Sequence, residues 1–302
     1  MKNNPLLCDT ESGVCEMPSA SDENVHAPVE AGSKPLKIIY FTDPICSTCW
    51  GIEPQLRKLK LEYGRLVEVE YRMGGLLPDW SYNSGGISKP TDVAPHWDEV
   101  SRHYQMPIIG DVWLEDPLHS SYPPSVAFKA AQMQDESKAV SFLRRIREMV
   151  FLEKKNITKW EHLADAAHDA GLDVGLLEQH YQTDAVPIFQ ADLQLAAQWG
   201  VRGFPTFLIF NREGRYEKVY GFKPYEVFEA AIDKIYPGAP KSWYSKSWQD
   251  LFGKYPTLTT KEFADLTGQS FESSEHQLGS LHNEGILQAY HTVNGTLWKQ
   301  TC

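Results

Sequence analysis

Thr42-Asp43-Pro44-Ile45-Cys46-Ser47-Thr48-Cys49-Trp50-Gly51 is the stretch that decides how this 302-residue chain folds. Its two cysteines stand directly after the apolar run Leu36-Lys37-Ile38-Ile39-Tyr40-Phe41, whose length and flanking turn residues predict a buried strand. Beyond the cysteines, Ile52, Leu56, Leu59 and Tyr63 recur at helical spacing, and Pro54 predicts a kink or break in that helix. The pair therefore sits where a strand turns into a helix. Unpaired N–H groups and the positive end of the helix dipole favour a thiolate on Cys46 there, with Cys49 placed to resolve a mixed disulfide. A half-site for zinc and plain coincidence compete with this reading. The strand before and the helix after favour thiol–disulfide exchange.

A second element stands far downstream, Gly200-Val201-Arg202-Gly203-Phe204-Pro205-Thr206, ahead of the apolar run Phe207-Leu208-Ile209-Phe210. A proline cannot donate to a ladder, so Pro205 belongs at the first position of that strand. A trans bond would simply start the strand. A cis bond would expose the Phe204 carbonyl and amide to a neighbouring peptide, and the distant C-x-x-C makes that the favoured form.

With both elements in view, the chain resembles the DsbA-like branch of the thioredoxin superfamily, and within it the FrnE-like subgroup. The resemblance is carried by Asp43 to Gly51, Glu53-Pro54, Met73-Gly74-Gly75-Leu76-Leu77-Pro78 and Gly200 to Thr206. It is also similar to the adapters that present the regulator Spx to the ClpXP protease, in Asp43-Pro44, Cys46 to Pro54, Lys155-Asn156-Ile157-Thr158 and the ending Leu297-Trp298-Lys299. The resemblance is good over 36–236 and weak beyond. It implies that Cys46 attacks substrate disulfides, that Cys49 resolves, and that Phe204, Pro205 and Trp50 hold the substrate strand. Ser47-Thr48 departs from the proline–histidine dipeptide of the strong periplasmic oxidases, which implies a more reducing pair. No cofactor and no metal is called for.

Hydrophobic residues make up 42% of the chain and charged residues 23%, the balance of a globular protein with a sizeable core. A net charge of −11 argues against nucleic acid or an anionic membrane as the main partner, because phosphate contacts need clustered Lys and Arg. The start of the chain has no apolar signal core, and no stretch has the length of a membrane span. The expected location is the cytoplasm, where a disulfide among the five cysteines would be transient or catalytic.

In chain order, residues 1–35 read as a mostly disordered tail. The tail carries Cys8 and Cys15, open to four readings: idle thiols, a second redox pair exchanging with Cys46–Cys49, part of a metal site, or a cloning remnant. Asp9 and Glu11 between them would raise their pKa values and weaken the redox reading. Residues 36–75 and 187–236 form the two halves of the thioredoxin fold, with Val67 to Met73 a strand parallel to the first. Residues 76–186 form a loop-rich and α-helical insertion, irregular up to Pro124. Its Trp80, Tyr82, Trp97, Tyr104, Trp113 and Tyr122 are core filler or an apolar wall that grips peptide, and His96, His103 and His119 have no ligand spacing. Thr158-Lys159-Trp160-Glu161 reads as a capping box, and Asp173 as a helix cap. Phe207–Phe210 and Tyr216–Tyr220 read as a hairpin, closed by a helix over 224–235.

Residues 237–302 read as a linker and a small winged-helix-like module: a capping box at Thr259-Thr260-Lys261-Glu262, a second helix capped by Ser270, and a hairpin around Val293-Asn294-Gly295. The second helix carries Glu272 and Glu275 but no Lys or Arg, which turns the module away from DNA. The expected activity is thiol–disulfide exchange or isomerisation on protein disulfides. The alternative is a non-catalytic or redox-sensing adapter that presents a client with exposed thiols or disulfides to the ClpXP protease.

Overall fold

Leu36–Thr42 lies at the middle of the sheet, where a continuous apolar strand has to be to cover both of its faces. The computed structural model describes residues 13–16, 33–81 and 89–301. In order, its elements are β1 (Cys15–Glu16), β2 (Leu36–Thr42), α1 (Ser47–Gly51), α2 (Glu53–Tyr63), β3 (Val67–Met73), α3 (Val93–Tyr104), α4 (Val112–Glu115), α5 (Tyr122–Gln134), α6 (Glu136–Leu152), α7 (Trp160–Asp169), α8 (Val174–Gln182) and α9 (Ala185–Gln198). There follow β4 (Gly203–Phe204), β5 (Thr206–Asn211), β6 (Tyr216–Tyr220), α10 (Tyr225–Ile235), α11 (Trp248–Lys254), β7 (Thr257–Thr259), α12 (Thr260–Thr267), α13 (Phe271–Asn283), β8 (Leu287–Thr292) and β9 (Gly295–Gln300).

Four strands in the order β3-β2-β5-β6 form the main sheet. β2 runs parallel to β3, with Ile38 opposite Val69, and antiparallel to β5, with Ile38 opposite Ile209. Tyr40 stacks on Phe207 at 4.3 Å between ring centroids. Each such side chain, fully buried, contributes roughly 1.5–3 kcal/mol by leaving water. The hairpin of β5 and β6 and the closing helix α10 lie where the sequence puts them. Pro54 marks a break rather than a kink: α1 ends at Gly51, and α2 restarts with the proline in its first turn, where a missing N–H costs nothing.

Helices α3 to α9 lie between the two halves of the sheet. Two local expectations fail here. The stretch before Pro124 is not irregular throughout, since Val93–Tyr104 is a helix and Pro95 sits in its first turn, where no intrahelical donor is lost. Thr158 does not cap α7; Lys159 does, while the Thr158 hydroxyl donates to Asn156 Oδ1 at 2.7 Å. Trp97 and Trp113 are buried and meet edge to face at 5.3 Å, and Trp80 meets Trp113 at 5.9 Å, so these rings fill a core. Tyr82 lies outside the described residues.

The carboxy-terminal module has its own core of Phe252, Leu258, Phe263, Leu266, Leu278 and Trp298 beneath a three-stranded sheet in the order β7-β9-β8. Leu61 of α2 reaches into it. The capping box is present, with Thr259 Oγ1 accepting from the Glu262 N–H and the Glu262 carboxylate accepting from the Thr259 N–H. The same carboxylate, fully buried, accepts from Arg144 through two nitrogens at 2.8 and 3.0 Å and lies 3.1 Å from Arg57 Nε. One glutamate thus ends a helix and fastens the module to α2 and α6. Removing one partner of a buried pair leaves uncompensated charge, at about 3–5 kcal/mol. Glu262→Ala is therefore expected to lose stability of that order in urea denaturation, whereas Lys261→Ala, which removes a surface pair, changes it by roughly 0.5 kcal/mol or less.

Candidate functional site

The site is built where β2 hands over to α1. Cys46 is the N-cap of α1, and its sulfur accepts the Cys49 N–H at 3.1 Å, so one of the orphan donors of a helix start is spent on the thiol. Both Cys46 and Cys49 are free thiols, and both are buried. The loop before them is held by Asp43. Its carboxylate accepts from the Ile45 N–H at 3.0 Å, the Leu76 N–H at 2.7 Å and the Ser121 hydroxyl at 2.8 Å. It thereby ties the cysteine loop to the segment after β3 and to the start of α5.

Arg147 of α6, completely buried, comes in beneath the pair. It donates to Glu53 Oε1 at 2.6 Å, to Thr42 Oγ1 at 2.6 Å and to the Asp43 carbonyl at 3.2 Å. Burial works against its charge, but Tyr40, Glu53 and both cysteines hold it protonated. Sequence reading missed this residue. It lies about a hundred positions from the cysteines, and the apolar spacing of α6 gives no hint that one of its arginines faces inward.

The electrostatics differ from the expected thiolate on Cys46. Burial pushes the Cys46 thiol well above its ordinary value, helped by its bond to Cys49 and by the nearby Asp43, and the Cys49 N–H only partly offsets this. Cys49 moves the other way. Burial raises it too, but the Cys46 thiol, the Arg147 guanidinium and the Thr42 hydroxyl together bring it below its usual range. Burial thus opposes charge on Cys46, while the Cys46 thiol and Arg147 favour it on Cys49.

The second element meets the first. The Phe204–Pro205 bond is cis, with Phe204 ending β4 and Pro205 standing between β4 and β5. Gly74, next to the end of β3, leaves room for the Phe204 ring: a Cβ there would stand 1.8 Å from Phe204 Cζ. That is the physical use of the Gly74-Gly75 motif. Trp50 follows Cys49 in α1. Its indole is buried, donates to the Pro107 carbonyl at 3.0 Å, stacks on Phe151 and carries the Arg144 guanidinium 4.3 Å above its ring.

Residues 13–16, which the sequence assigns to a disordered tail, are ordered against this site. β1 pairs antiparallel with β4, with Cys15 opposite Phe204, and Cys15 is buried. Cys15 Sγ lies 3.3 Å from Cys46 Sγ and 3.3 Å from Thr48 Oγ1. Cys15 is disulfide-bonded. Cys8 and Cys302 both lie outside the described residues. Among the described residues no group of three His, Cys, Asp or Glu is placed to hold a metal ion, and no helix is long and apolar enough to cross a membrane.

Residues 40–230 match the family model described as Thioredoxin. The chain is 33% identical over 302 aligned residues to the ClpXP adapter protein SpxH of Halalkalibacterium halodurans, covering 98% of this chain and 97% of that protein. It is 30% identical over 271 residues to the ClpXP adapter protein SpxH of Bacillus subtilis, covering 88% and 89%. Among solved structures, the cytosolic disulfide reductase DsbM from Pseudomonas aeruginosa matches with a TM-score of 0.54 at 23% identity, covering 66% of this chain and 98% of that one, a likeness of fold.

Burial lifts the Asp43 carboxyl from 3.8 to about 6, against the Leu76 and Ile45 N–H groups, the Ser121 hydroxyl and Arg147. A carboxyl whose pKa is higher folded than unfolded stabilises the fold fully below about pH 4 and loses that contribution as pH rises through 6. Two units correspond to roughly 3 kcal/mol. Relative to Asp43→Asn, the natural protein is expected to lose stability of that order between pH 4 and 7, read from urea denaturation at a series of pH values.

Proposed function

The chain belongs to the thioredoxin family, and within it to the family of the ClpXP adapter protein SpxH, and from that membership we propose that it is an adapter delivering a client protein to the ClpXP protease in the cytoplasm. The observation that carries this reading is the extent of the likeness. It runs from end to end of the chain and includes the carboxy-terminal module, whereas the disulfide reductase match takes in only 66% of it. The module is fastened to the thioredoxin body through buried Glu262, as a part that works together with the body would be. This order of preference reverses the one drawn from the sequence, which set catalysis first, because the weak resemblance beyond residue 236 becomes a full-length one. The client is a protein with thiols or disulfides of its own, held where Phe204 and Pro205 offer a strand edge.

The reading is tested by reconstituted degradation. ClpXP with Spx as the client is expected to act faster when the purified chain is added in equal amount, and Glu262→Ala is expected to lose that effect. Unchanged degradation in the presence of the natural chain would overturn the proposal.

A second reading stands beside the first: Cys46 and Cys49 are a working exchange pair. What favours it is the placement of two free thiols at a helix start, with the Cys49 N–H on the Cys46 sulfur and Arg147 near Cys49. Reduction of insulin disulfides by the purified chain is expected to fall to the uncatalysed rate in Cys46→Ser. Equal rates for the two proteins would remove catalysis and leave the adapter.

A further inference from the structure

The exchange reading of Cys46–Cys49 leaves one arrangement unexplained. A peptide strand is already in the place that the cis-proline edge would give a substrate, and it belongs to the chain itself. Cys15 and Glu16 run antiparallel to Phe204 and Gly203. The Gly13 carbonyl accepts the Phe222 N–H at 2.5 Å, which secures the segment at a second point. Gly13 has a φ of +67°, and a Cβ on it would stand 2.8 Å from Phe222 Cβ, so this anchor admits only glycine. Val14 and Cys15 are 1% and 0% exposed, as a core residue would be. The segment presents a disulfide sulfur, Cys15 Sγ, 3.3 Å from the free thiol sulfur of Cys46. Reacting atoms held about 3–3.5 Å apart are at the separation from which reaction starts.

We infer that residues 13–16 are a tethered substrate, and that the Cys46–Cys49 pair exchanges within the chain with the disulfide of Cys15, an inference that depends on the exchange reading above. Cys46 passes its proton to the Cys49 sulfur it is hydrogen-bonded to, and the resulting Cys46 thiolate forms a bond to Cys15 Sγ. The bond between Cys15 and its present partner breaks, and that partner leaves as a thiolate and takes up a proton. Cys49 then attacks Cys46 Sγ, and Cys15 departs as the second thiolate and is protonated in turn. The Cys46–Cys49 dithiol is oxidised, the Cys15 disulfide is reduced, two protons change hands, and no outside oxidant or reductant enters. While the segment is seated, the edge at Gly203–Phe204 is taken, so an outside peptide or disulfide has to displace it.

The test uses the full chain with Cys49→Ala, which lacks the resolving thiol and holds any mixed disulfide on Cys46. Non-reducing peptide mapping is expected to find Cys46 linked to Cys15, in a yield that does not fall on dilution. Adding Gly13→Val to this variant should unseat the segment, because a branched side chain at positive φ is strained. Labelling of Cys46 by oxidised glutathione should then rise about tenfold, the factor that a left-handed backbone penalty of one to two kcal/mol gives. Far-UV circular dichroism of that variant shows whether the fold is kept, and the mapping on Cys49→Ala alone stands whether or not it is. No Cys46–Cys15 link, with Cys46 still labelled readily by oxidised glutathione, overturns the tethered substrate and spares the exchange reading. No link and no labelling overturns both.

Discussion

A guanidinium with no access to water sets the terms for the rest of this structure. Placing Arg147 wholly inside the protein costs several kcal/mol unless its charge and donors are met. The charge is met by Glu53 from α2, and both terminal nitrogens find acceptors there and at Thr42 and the Asp43 carbonyl, where β2 runs into the cysteine loop. Glu53 is the charged partner, and moving it would leave the guanidinium buried without its counter-charge. The helical insertion is thereby locked to the thioredoxin core at the point where the two thiols sit. The Cys46 thiol and, after it, the same charge bring Cys49 below its usual range against the effect of burial.

The two functional proposals meet at one short edge. An adapter has to hold a client strand, and a thiol exchanger has to hold the strand that carries the disulfide. Both would use the backbone of Gly203 and Phe204, which residues 15 and 16 already occupy. Access to that edge, rather than the reactivity of Cys46 alone, becomes the controlling variable. While that edge is filled from within the chain, the disulfide nearest to Cys46 is the chain's own.

Much of this was legible in the sequence where a local rule had no competitor. The break at Pro54, the hairpin after Pro205, the Asp173 cap and the Thr259–Glu262 capping box are each decided by residues within a few positions of one another, and each is where it was expected. What could not be read was decided by contacts far apart in the chain. Arg147 looks like any arginine of an amphipathic helix. The prolines at 90 and 95 look like breakers until the second is placed in the first turn of α3. Thr158 has the right spacing for a cap, but Asn156 takes its hydroxyl and Lys159 starts the helix. Trp50 follows the second cysteine, and nothing near it in the sequence shows that the Pro107 carbonyl and Phe151 draw its ring inward. Around Cys15 the composition argues for a solvated tail, and only the unpaired edge of β4 makes order there worthwhile.

The seam between the carboxy-terminal module and the body is made of charges, which suggests at first that salt should open it. The fully buried Glu262 has no such weakness, since ions in solution do not reach its pairs with Arg144 and Arg57 and screen them far less than they would on the surface. Heat acts on it in an unusual direction as well. The cost of stripping water from charged groups falls as temperature rises, while the gain per unit of buried apolar area levels off. A join of this kind holds its share of the stability on warming, so the module and the thioredoxin body are built to come apart late, together with the body's own melting rather than ahead of it.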